Sequence, residues 1–387
     1  MKDLILTLSA LLVITSTALG QEAEPFAINH GPYLQNLEEQ AVSVYFSTSH
    51  NAFSQVEVRE SGSDVTILHY TTINGLKQAN NTKNQIRIRG LKPDTEYDYR
   101  IVTRQITLFE PYNVVYGDTI CSEWEQFRTL SPEMKSWKFA MFNDIHNKND
   151  KLRTLASHLP LDEATMVFCV GDMMNYFHKP DLPYEAFIDT LVELFARNKP
   201  FVTVRGNHET RGEYARTFGD YVERPDGKYY HIYYVGDTAL VLFDTGEDKR
   251  DNAPVYAGLV DFESYRREQL EWFREEMQKP QFRNARHRIV LMHIAPHKDG
   301  EDLSKHQSSL DINEMFTPLF NQAKVDLVLS GHLHKQLYEP VNPDHNHYPI
   351  YINDHNSAVW VEISESSIRV EGYNLAGERN FELEIAK

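Results

Sequence analysis

The chain has 387 residues and is strongly acidic, with 56 Asp and Glu against 39 Lys and Arg and a formal net charge of −17. This length allows two or three domains, and apolar and charged fractions of 41% and 25% exclude a disordered chain, a membrane bundle and a small disulfide-stapled scaffold. The acidic balance also argues against specific or broad nucleic-acid binding, for which basic surfaces supply most of the affinity.

The first 20 residues have the pattern of a secretory signal peptide. Lys2 precedes an apolar run over residues 4–19, and Ala18-Leu19-Gly20 has the small-x-small form of a cleavage site. The run is shorter than the ~20 residues of a membrane-spanning helix, although an N-terminal membrane anchor stays open as the alternative. We therefore expect a chain exported to the periplasm or the exterior after cleavage near Gly20, with no membrane span in the mature chain.

Residues 26–130 contain short segments in which apolar and polar side chains alternate. Period two with turn residues between the segments predicts strands, and the apolar positions are Val42, Val44 and Phe46, then Val56 and Val58, then Ile86 and Ile88, then Tyr97, Tyr99 and Ile101. The stretch from Gly90 to Tyr97 resembles the turn before a late strand of fibronectin type III domains, where a tyrosine makes a corner hydrogen bond. These features predict an all-β immunoglobulin/fibronectin III-like sandwich over residues 26–130.

Residues 135–387 have a different pattern, in which apolar runs typical of doubly buried strands alternate with helical spacing. The runs cover residues 137–142, 166–170, 201–204, 289–292 and 325–329. Apolar residues recur at helical spacing over residues 184–195 and more weakly over residues 270–277. Residues 229–244 and 358–385 have the alternation of antiparallel strands. The pattern predicts an α/β domain of mixed sheets flanked by helices.

The two cysteines, Cys121 and Cys169, are far apart in the sequence. Cys169 lies inside the apolar run of residues 166–170, where a cysteine is usually a small buried hydrophobe. We predict neither a disulfide nor a thiolate metal site.

All five apolar runs of the second region end in side chains that can bind a metal. The candidates are Asp144 and His146, then Asp172, then Asn207, then His293, then His332 and His334. Open α/β sheets place ligands at the carboxyl ends of their strands. If the backbone stays extended, donors two residues apart point the same way, and the preceding glycines should let the chain turn at Asp172, Asn207 and His332. Singly, each candidate is more simply a cap, a turn residue or a structural histidine; together they predict a metal centre.

The ordered motifs D-x-H, GD, GNH[DE], H and GHxH resemble those of the calcineurin-like metallophosphoesterases, and a preceding fibronectin-like domain is similar to that of purple acid phosphatases. The resemblance implies an α/β metallophosphoesterase sandwich with two metal ions. One ion would be held by Asp144, His146, Asp172 and His334, and the other by Asp172, Asn207, His293 and His332. Carboxylate, amide and imidazole donors suit Fe, Mn or Zn and leave the choice among them open.

The same resemblance implies hydrolysis of a phosphate monoester or diester by metal-activated hydroxide, with a small phosphorylated substrate. His208 matches the position that contacts the phosphoryl group and can protonate the leaving oxygen, although a purely structural imidazole is the alternative. Arg205 precedes the same motif's glycine, as in the phosphoprotein phosphatase branch, and could hold two phosphoryl oxygens or form a salt bridge with a surface acid. Glu209 is expected to orient nearby groups. The bound ions would supply the positive charge that an acidic protein needs to bind phosphate.

One position departs from the purple acid phosphatase pattern. Those enzymes have a tyrosine three residues after the bridging aspartate, whereas this chain has Asn175 there and Tyr176 one residue later. We therefore expect no iron-tyrosinate site and no purple colour.

Two other functions remain open from the sequence. The chain could be an exported binding protein that keeps the metals for stability without catalysis, although such a protein has no need of the proton donor predicted at His208. Alternatively, the N-terminal sandwich could be an adhesive or carbohydrate-binding module, for which the sequence identifies no exposed aromatic cluster.

Overall fold

The computed structural model of the chain describes residues 24–297 and 307–387. The predicted signal peptide, residues 1–20, lies outside these residues. Within the described part of the chain, every helix is too short or too polar to cross a bilayer.

The N-terminal region is entirely β-structure. Its strands are β1 (Ile28–Gln35), β2 (Ala41–Glu60), β3 (Ile67–His69), β4 (Thr72–Ile73), β5 (Leu76–Lys77), β6 (Asn81–Arg89), β7 (Glu96–Glu110), β8 (Asn113–Cys121) and β9 (Glu125–Arg128). Strands β4 and β5 pair with each other, and the other seven form one antiparallel sheet in which β2 and β7 are central.

Strand β2 is one continuous 20-residue strand where the sequence predicts two. Its first half pairs with β1 and β6, its second half pairs with β3 and β7, and an irregularity in register separates the halves between Ser47 and Ala52. Val44 and Val56, from the two halves, are both fully buried in the same apolar cluster. The two halves of β2 therefore contribute side chains to the same core, and no turn separates them.

The predicted tyrosine contact is present in this region. The backbone N–H of Lys92 donates a hydrogen bond to Tyr97 Oη at 2.8 Å, which closes the turn before β7. The fibronectin III-like assignment and the boundaries 26–130 stay predictions.

The α/β region follows with β10 (Trp137–Phe142), β11 (Met166–Val170), β12 (Phe201–Val204), β13 (His231–Val235), β14 (Thr238–Phe243), β15 (His287–Met292), β16 (Leu327–Ser330), β17 (Leu337–Glu339), β18 (Ile350–Ile352), β19 (Ser357–Ile363), β20 (Ser367–Asn374) and β21 (Arg379–Ala386). The helices are α1 (Asn149–Ser157), α2 (Asp189–Leu191), α3 (Phe262–Glu276), α4 (Pro280–Asn284) and α5 (Gln307–Ala323). Two π-helical turns, Tyr184–Ile188 and Val192–Ala196, flank α2, and 3₁₀ turns cover Leu161–Glu163, His208–Thr210, Ala215–Asp220, Pro225–Gly227 and Pro254–Tyr256.

Two mixed six-stranded sheets form the centre of this region, which confirms the predicted fold class. The first has the order β12-β11-β10-β19-β20-β21, with β10, β11 and β12 parallel and the rest antiparallel. The second has the order β13-β14-β15-β16-β18-β17, with β14, β15, β16 and β18 parallel between two antiparallel edges. The bounds of β10, β11 and β12 coincide with three predicted apolar runs.

The alternation of side chains along these strands divides the core into layers. Phe139 and Phe168 of the first sheet share a buried cluster with Leu240 and Leu291 of the second, so the two sheets pack against each other. The intervening positions face outward. Those of the first sheet pack on α1 and the helical segment around α2, and those of the second pack on α3 and α5. This layering explains why the runs carry apolar side chains on both faces of each strand.

Hydrogen bonds from tyrosines attach the N-terminal sheet to the α/β region. Tyr33 Oη donates to the Tyr221 carbonyl oxygen at 2.8 Å, and Tyr99 Oη donates to the Arg197 carbonyl oxygen at 2.6 Å. Both rings are fully buried. The N-terminal sheet is thus packed against the α/β region.

The hairpin of β7 and β8 carries exposed apolar side chains that the sequence did not identify. They include Phe109, Tyr112, Val114, Val115 and Tyr116. Strand β8 pairs only with β7 and lies at an edge of the sheet.

Candidate metal centre and catalytic site

The predicted metal ligands meet where the carboxyl ends of both sheets face each other. Each lies just beyond a strand: Asp144 and His146 after β10, Asp172 after β11, Asn207 after β12, His293 after β15, and His332 and His334 after β16. Because β10, β11 and β12 are parallel, as are β15 and β16, the loops of each sheet emerge on one side.

Four of these residues form a first cluster. The potential ligand atoms of Asp144, His146, Asp172 and His334 all lie within 4.8 Å of one another. His146 Nε2 is 3.0 Å from His334 Nε2, and His334 Nε2 is 3.2 Å from Asp144 Oδ1. Two imidazole nitrogens and two carboxylates at this spacing are a donor set that fits Fe, Mn or Zn.

A second cluster shares Asp172 with the first and adds His293 and His332. His293 Nε2 lies 3.1 Å from Asp172 Oδ2. Asn207 is adjacent, because the backbone N–H of the next residue, His208, donates to Asp172 Oδ1 at 2.9 Å. Asn207 Oδ1 is buried without a hydrogen-bond partner among residues 24–297 and 307–387. A buried carbonyl oxygen without a partner is costly, and a metal ion at this position would satisfy it.

Hydrogen bonds that two of the imidazoles donate to neighbouring residues fix the orientation of the rings. His146 Nδ1 lies 3.1 Å from Asn175 Oδ1, and His293 Nδ1 lies 2.9 Å from the Val170 carbonyl oxygen. Carbonyl oxygens only accept hydrogen bonds, so Nδ1 carries the proton in both rings and a neutral ring presents the Nε2 lone pair to the cluster.

The pKa shifts of the clustered residues indicate that the site attracts positive charge. Burial alone would raise the pKa of Asp144, but its interactions with the imidazoles of His146 and His334 hold that pKa well below its usual value. Burial opposes protonation of His293, but the attraction of Asp172 raises the pKa of His293 to about 10. Burial and the charge of His293 lower the pKa of His332 to about 4. A proton on His293 would supply positive charge beside Asp172, and a metal ion bound there would displace it.

The donor pairs do not converge through an extended backbone, and that expectation is wrong. Strands β10 and β16 end before the donors, and the chain then adopts left-handed conformations, with φ of 51° at Asp144, 53° at His146, 54° at Asp172, 75° at His332 and 55° at His334. Each such non-glycine residue costs about 1–3 kcal/mol. Bonds between loops hold this geometry, since the N–H groups of Asp144 and His146 donate to the carbonyl oxygens of Gly171 and Asp172 at 3.0 Å.

The glycines of the motifs act in two ways. Gly171 has φ +79° and turns the chain before Asp172, as predicted. Gly206 and Gly331 have no positive φ, so the chain leaves β12 and β16 there without a left-handed glycine. At Gly331 a Cβ atom would lie 2.5 Å from Asp144 Oδ2, and at Gly206 it would overlap with the carboxylate of Asp172. Glycine is needed at these two positions for close approach of the backbone to the aspartates.

Glu209 is fully buried and organises the loops that carry the donors. Its Oε2 atom accepts hydrogen bonds from the backbone N–H groups of Asp172 and Gly206, both at 2.9 Å, and its Oε1 atom accepts one from Met174 at 3.2 Å. Burial, followed by the negative charge of Asp172, raises the pKa of Glu209 to about 7. The orienting role expected for this residue agrees with these contacts.

His208 lies at the rim of the same clusters. Its Nδ1 atom is 2.6 Å from the Asn175 carbonyl oxygen and therefore carries a proton, while Nε2 is 3.8 Å from Asp172 Oδ2 and 3.2 Å from Arg211 Nη1. The ring stacks on Tyr176, with centroids 5.4 Å apart. Burial lowers the pKa of His208. Its role as a proton donor stays a prediction.

Arg205 contacts Asp244 and Tyr229. Its Nε and Nη2 atoms lie 2.8 and 2.6 Å from Asp244 Oδ2, and the guanidinium lies 4.1 Å from the centre of the Tyr229 ring. The sequence left open a salt bridge to a surface acid, but Asp244 is fully buried. A contact of Arg205 with a phosphoryl group stays a prediction.

Two residues of the site were missed from the sequence. In the sequence, Asn175 marks only the absence of the tyrosine of purple acid phosphatases, yet its side chain contacts His146 and its carbonyl oxygen contacts His208. Arg211 was not considered, although a basic residue three positions after His208 in an acidic chain was a usable signal.

Comparison with known proteins agrees with this geometry. The family model for calcineurin-like phosphoesterases matches residues 138–336, about half of the chain. A purple acid phosphatase of Glycine max is 26% identical over 234 residues, which cover 58% of this chain and 48% of the relative. Probable purple acid phosphatase 20 of Arabidopsis thaliana is 24% identical over 263 residues, with coverages of 65% and 54%. The chain thus spans about half the length of the curated relatives it matches.

Solved structures show the same fold. A purple acid phosphatase from seeds of yellow lupin, Lupinus luteus, superposes with a TM-score of 0.67 at 14% identity, covering 92% of this chain and 74% of that one. The structure of PhoD gives 0.61 at 11% identity, covering 92% and 88%. Both alignments extend over the N-terminal β-region as well as the α/β region.

Proposed function

The chain belongs to the calcineurin-like phosphoesterase family, and we propose that it is an exported enzyme that hydrolyses phosphate monoesters or diesters with two metal ions. The observation that carries the proposal is the pair of donor clusters that share the carboxylate of Asp172. A shared carboxylate between two sets of nitrogen and oxygen donors is the arrangement that a two-metal site requires.

We assign the donors to two ions, as the motifs suggest. One ion would be held by Asp144, His146, Asp172 and His334, and the other by Asp172, Asn207, His293 and His332. The orphaned Oδ1 atom of Asn207 and the fixed Nε2 atoms of His146 and His293 support this assignment. The donor types fit Fe, Mn or Zn.

Two ions held by these residues would supply Lewis-acid charge and a water of lowered pKa as the nucleophile. The protein's own contribution is orientation. The Asn175 carbonyl oxygen holds the Nδ1 proton of His208, so the Nε2 edge of that ring faces the site. A protonated ring can then donate from Nε2 to the leaving oxygen. A bound anionic phosphoryl group favours the protonated ring and so offsets the effect of burial.

The proposal includes export and the predicted division of the chain. The signal-like pattern of residues 1–20 supports export, and the β-region at 26–130 would be an accessory domain of the enzyme domain at 135–387. Arg205 remains a candidate contact for the phosphoryl group, although it would have to share its guanidinium with Asp244.

The decisive experiment is to purify the mature chain, measure bound metals, and assay hydrolysis of p-nitrophenyl phosphate and bis(p-nitrophenyl) phosphate. We expect two metal equivalents and turnover of at least one ester, with activity lost in Asp172→Asn and reduced in His208→Ala. Two bound ions without turnover of either ester would favour a non-catalytic, metal-stabilised binding protein. Full activity of His208→Ala would remove the proton-donor role and leave the metal site.

A second candidate function, binding through the N-terminal region, is favoured by the exposed β7–β8 hairpin. Phe109, Tyr112 and Tyr116 are all exposed there, and exposed apolar patches mark interaction sites. The test is co-sedimentation of the full chain with insoluble polysaccharides. Binding that Tyr112→Ser and Tyr116→Ser abolish would support this role, and equal sedimentation of the variants would oppose it.

A further inference from the structure

We propose that Arg211 is the residue that binds a substrate oxygen beside His208 and that it selects phosphate monoesters over diesters. This inference rests on the proposed phosphoesterase function. Arg211 lies close to the donor clusters. Its Nη1 atom is 3.2 Å from His208 Nε2, which is itself 3.8 Å from Asp172 Oδ2. The guanidinium therefore lies at the mouth of the donor clusters, with a side chain that is 25% exposed.

The guanidinium is clamped from behind by two carboxylates. Arg211 Nε lies 2.9 and 3.1 Å from the two Glu247 oxygens, while Nη2 lies 2.6 Å from Glu247 Oε2 and 3.2 Å from Asp248 Oδ1. Glu247 also lies 2.9 Å from Thr210 Oγ1 and 3.1 Å from Tyr256 Oη. These contacts use the Nε and Nη2 edge and leave Nη1 directed at His208.

The carboxylate clamp is itself supported from the interior. Arg266 is fully buried, and its Nη1 atom donates to the Thr245 carbonyl oxygen at 2.7 Å and approaches that of Glu247 at 3.4 Å. The side chain of Glu247 is also almost completely buried. Buried ion pairs contribute little to stability by themselves, because desolvation offsets the attraction. An ion pair with a purely structural role would not require the Nη1 atom of Arg211 to face His208 at the rim of the donor clusters.

The chemistry of the ester decides the substrate class. A phosphate monoester has three non-bridging oxygens, whereas a diester has two. Near neutral pH the monoester also carries one more negative charge. Nη1 can donate directly to one of these oxygens, because the carboxylates of Glu247 and Asp248 contact the Nε and Nη2 atoms instead. The charge of Asp248 is also offset by Lys249, whose Nζ lies 2.8 Å from Asp248 Oδ1. The direct donor at Nη1 therefore favours an anionic phosphoryl group, and the additional charged oxygen of a monoester gains most from it.

The test compares metal-loaded full-length Arg211→Gln and Arg211→Lys with the control Arg216→Gln, an exposed arginine in the same segment. The readouts are the dissociation constant of inorganic phosphate by calorimetry and kcat/KM for p-nitrophenyl phosphate and its diester. Loss of a charge-assisted hydrogen bond predicts a dissociation constant for phosphate about 10 to 100 times higher in Arg211→Gln. The monoester kcat/KM should fall by a similar factor and the diester value by less than about threefold. Arg211→Lys should lie between, and Arg216→Gln should match the wild type.

Metal content and thermal unfolding of each variant separate a lost contact from a lost fold. If Arg211→Gln does not fold, Glu247→Gln serves instead. This variant keeps the guanidinium but weakens the contacts that hold it. An unchanged preference between the two esters in Glu247→Gln would overturn the proposal. Unchanged phosphate binding in a folded Arg211→Gln would also overturn it and would leave the phosphoesterase function standing. A wild type that hydrolyses neither ester would overturn both.

Discussion

The carboxylate of Glu209 lies 2.9 Å from the backbone nitrogen of Asp172 and accepts its hydrogen bond. The same carboxylate accepts the N–H groups of Gly206 and Met174. Glu209 thereby links the loop after β11, which carries the shared aspartate, to the loop after β12, which carries Asn207. Glu209, which is not proposed as a ligand, thus holds the loops of the proposed ligands Asp172 and Asn207 together.

Substitution of Glu209 by Gln should weaken both the fold and the metal site. The amide has one acceptor oxygen, so at least one backbone donor loses its partner in the interior, at a cost of about 1–3 kcal/mol in the free energy of unfolding. Metal affinity should fall about 10 to 100 times, as for other residues that position ligands. Urea denaturation and metal titration measure the two effects. Glu213→Gln, an exposed neighbour, is the control, and equal metal affinity in the two variants would contradict the positioning role.

The iron-loaded protein should lack the visible absorption band of an iron-tyrosinate site. The side chain at the relevant position is Asn175, which hydrogen-bonds to His146, while Tyr176 is half-exposed and stacks on His208. Absorption spectra of the metal-free and iron-loaded protein provide the measurement. A visible band that disappears in Tyr176→Phe would show that Tyr176 reaches the metal, contrary to this expectation.

Arg205→Gln should destabilise the protein more than it impairs phosphate binding. The change leaves the buried Asp244 carboxylate without its partner, which typically costs about 3–5 kcal/mol in the free energy of unfolding. The double variant Arg205→Gln/Asp244→Asn should recover part of that loss. Urea denaturation measures the stability, and KM for p-nitrophenyl phosphate measures binding. A folded variant of unchanged stability with a raised KM would instead support the phosphoryl contact proposed for Arg205.

The sequence was sufficient for the central strands β10, β11 and β12 and for the positions of the donors that follow the strands, because both depend on local patterns. Strands buried on both faces are mainly apolar, so the runs predicted β10, β11 and β12 with their observed bounds. The carboxyl ends of parallel strands must emerge together, so the donors were expected to meet. Neither inference needs information about distant contacts.

The path of the backbone through the site could not be predicted in the same way. The left-handed conformations of Asp144 and His146 are held by carbonyl oxygens of the β11 loop, nearly 30 residues away. Arg211 acquires its orientation from Glu247, and β2 stays continuous because its two halves pair with different strands. These features depend on contacts between segments, which a reading of local pattern does not contain.

His287 should make stability depend on pH at a place far from the metal centre. Its ring is fully buried, with Nε2 donating to the Ser364 carbonyl oxygen at 2.7 Å, and burial lowers its pKa. The hydrogen bond to Ser364 and the charges of Asp326 and Asp237 raise the pKa of His287, and Lys387 lowers it further, but the net shift is downward. The unfolded chain, with a histidine pKa of about 6.5, binds this proton more readily than the folded chain. The contribution of His287 is therefore complete above that pH and is lost as pH falls through the folded pKa.

The variant His287→Gln removes the titrating group and keeps a hydrogen-bond donor. We expect the free energy of unfolding of the metal-free variant to fall less steeply than that of the wild type between about pH 7 and pH 5. Urea denaturation across this range gives both slopes, and the other histidines cancel in the difference. His347→Gln, at an exposed ring, should leave the slope unchanged. Equal slopes for the wild type and His287→Gln would show that the buried ring is protonated as easily in the folded chain as in the unfolded one.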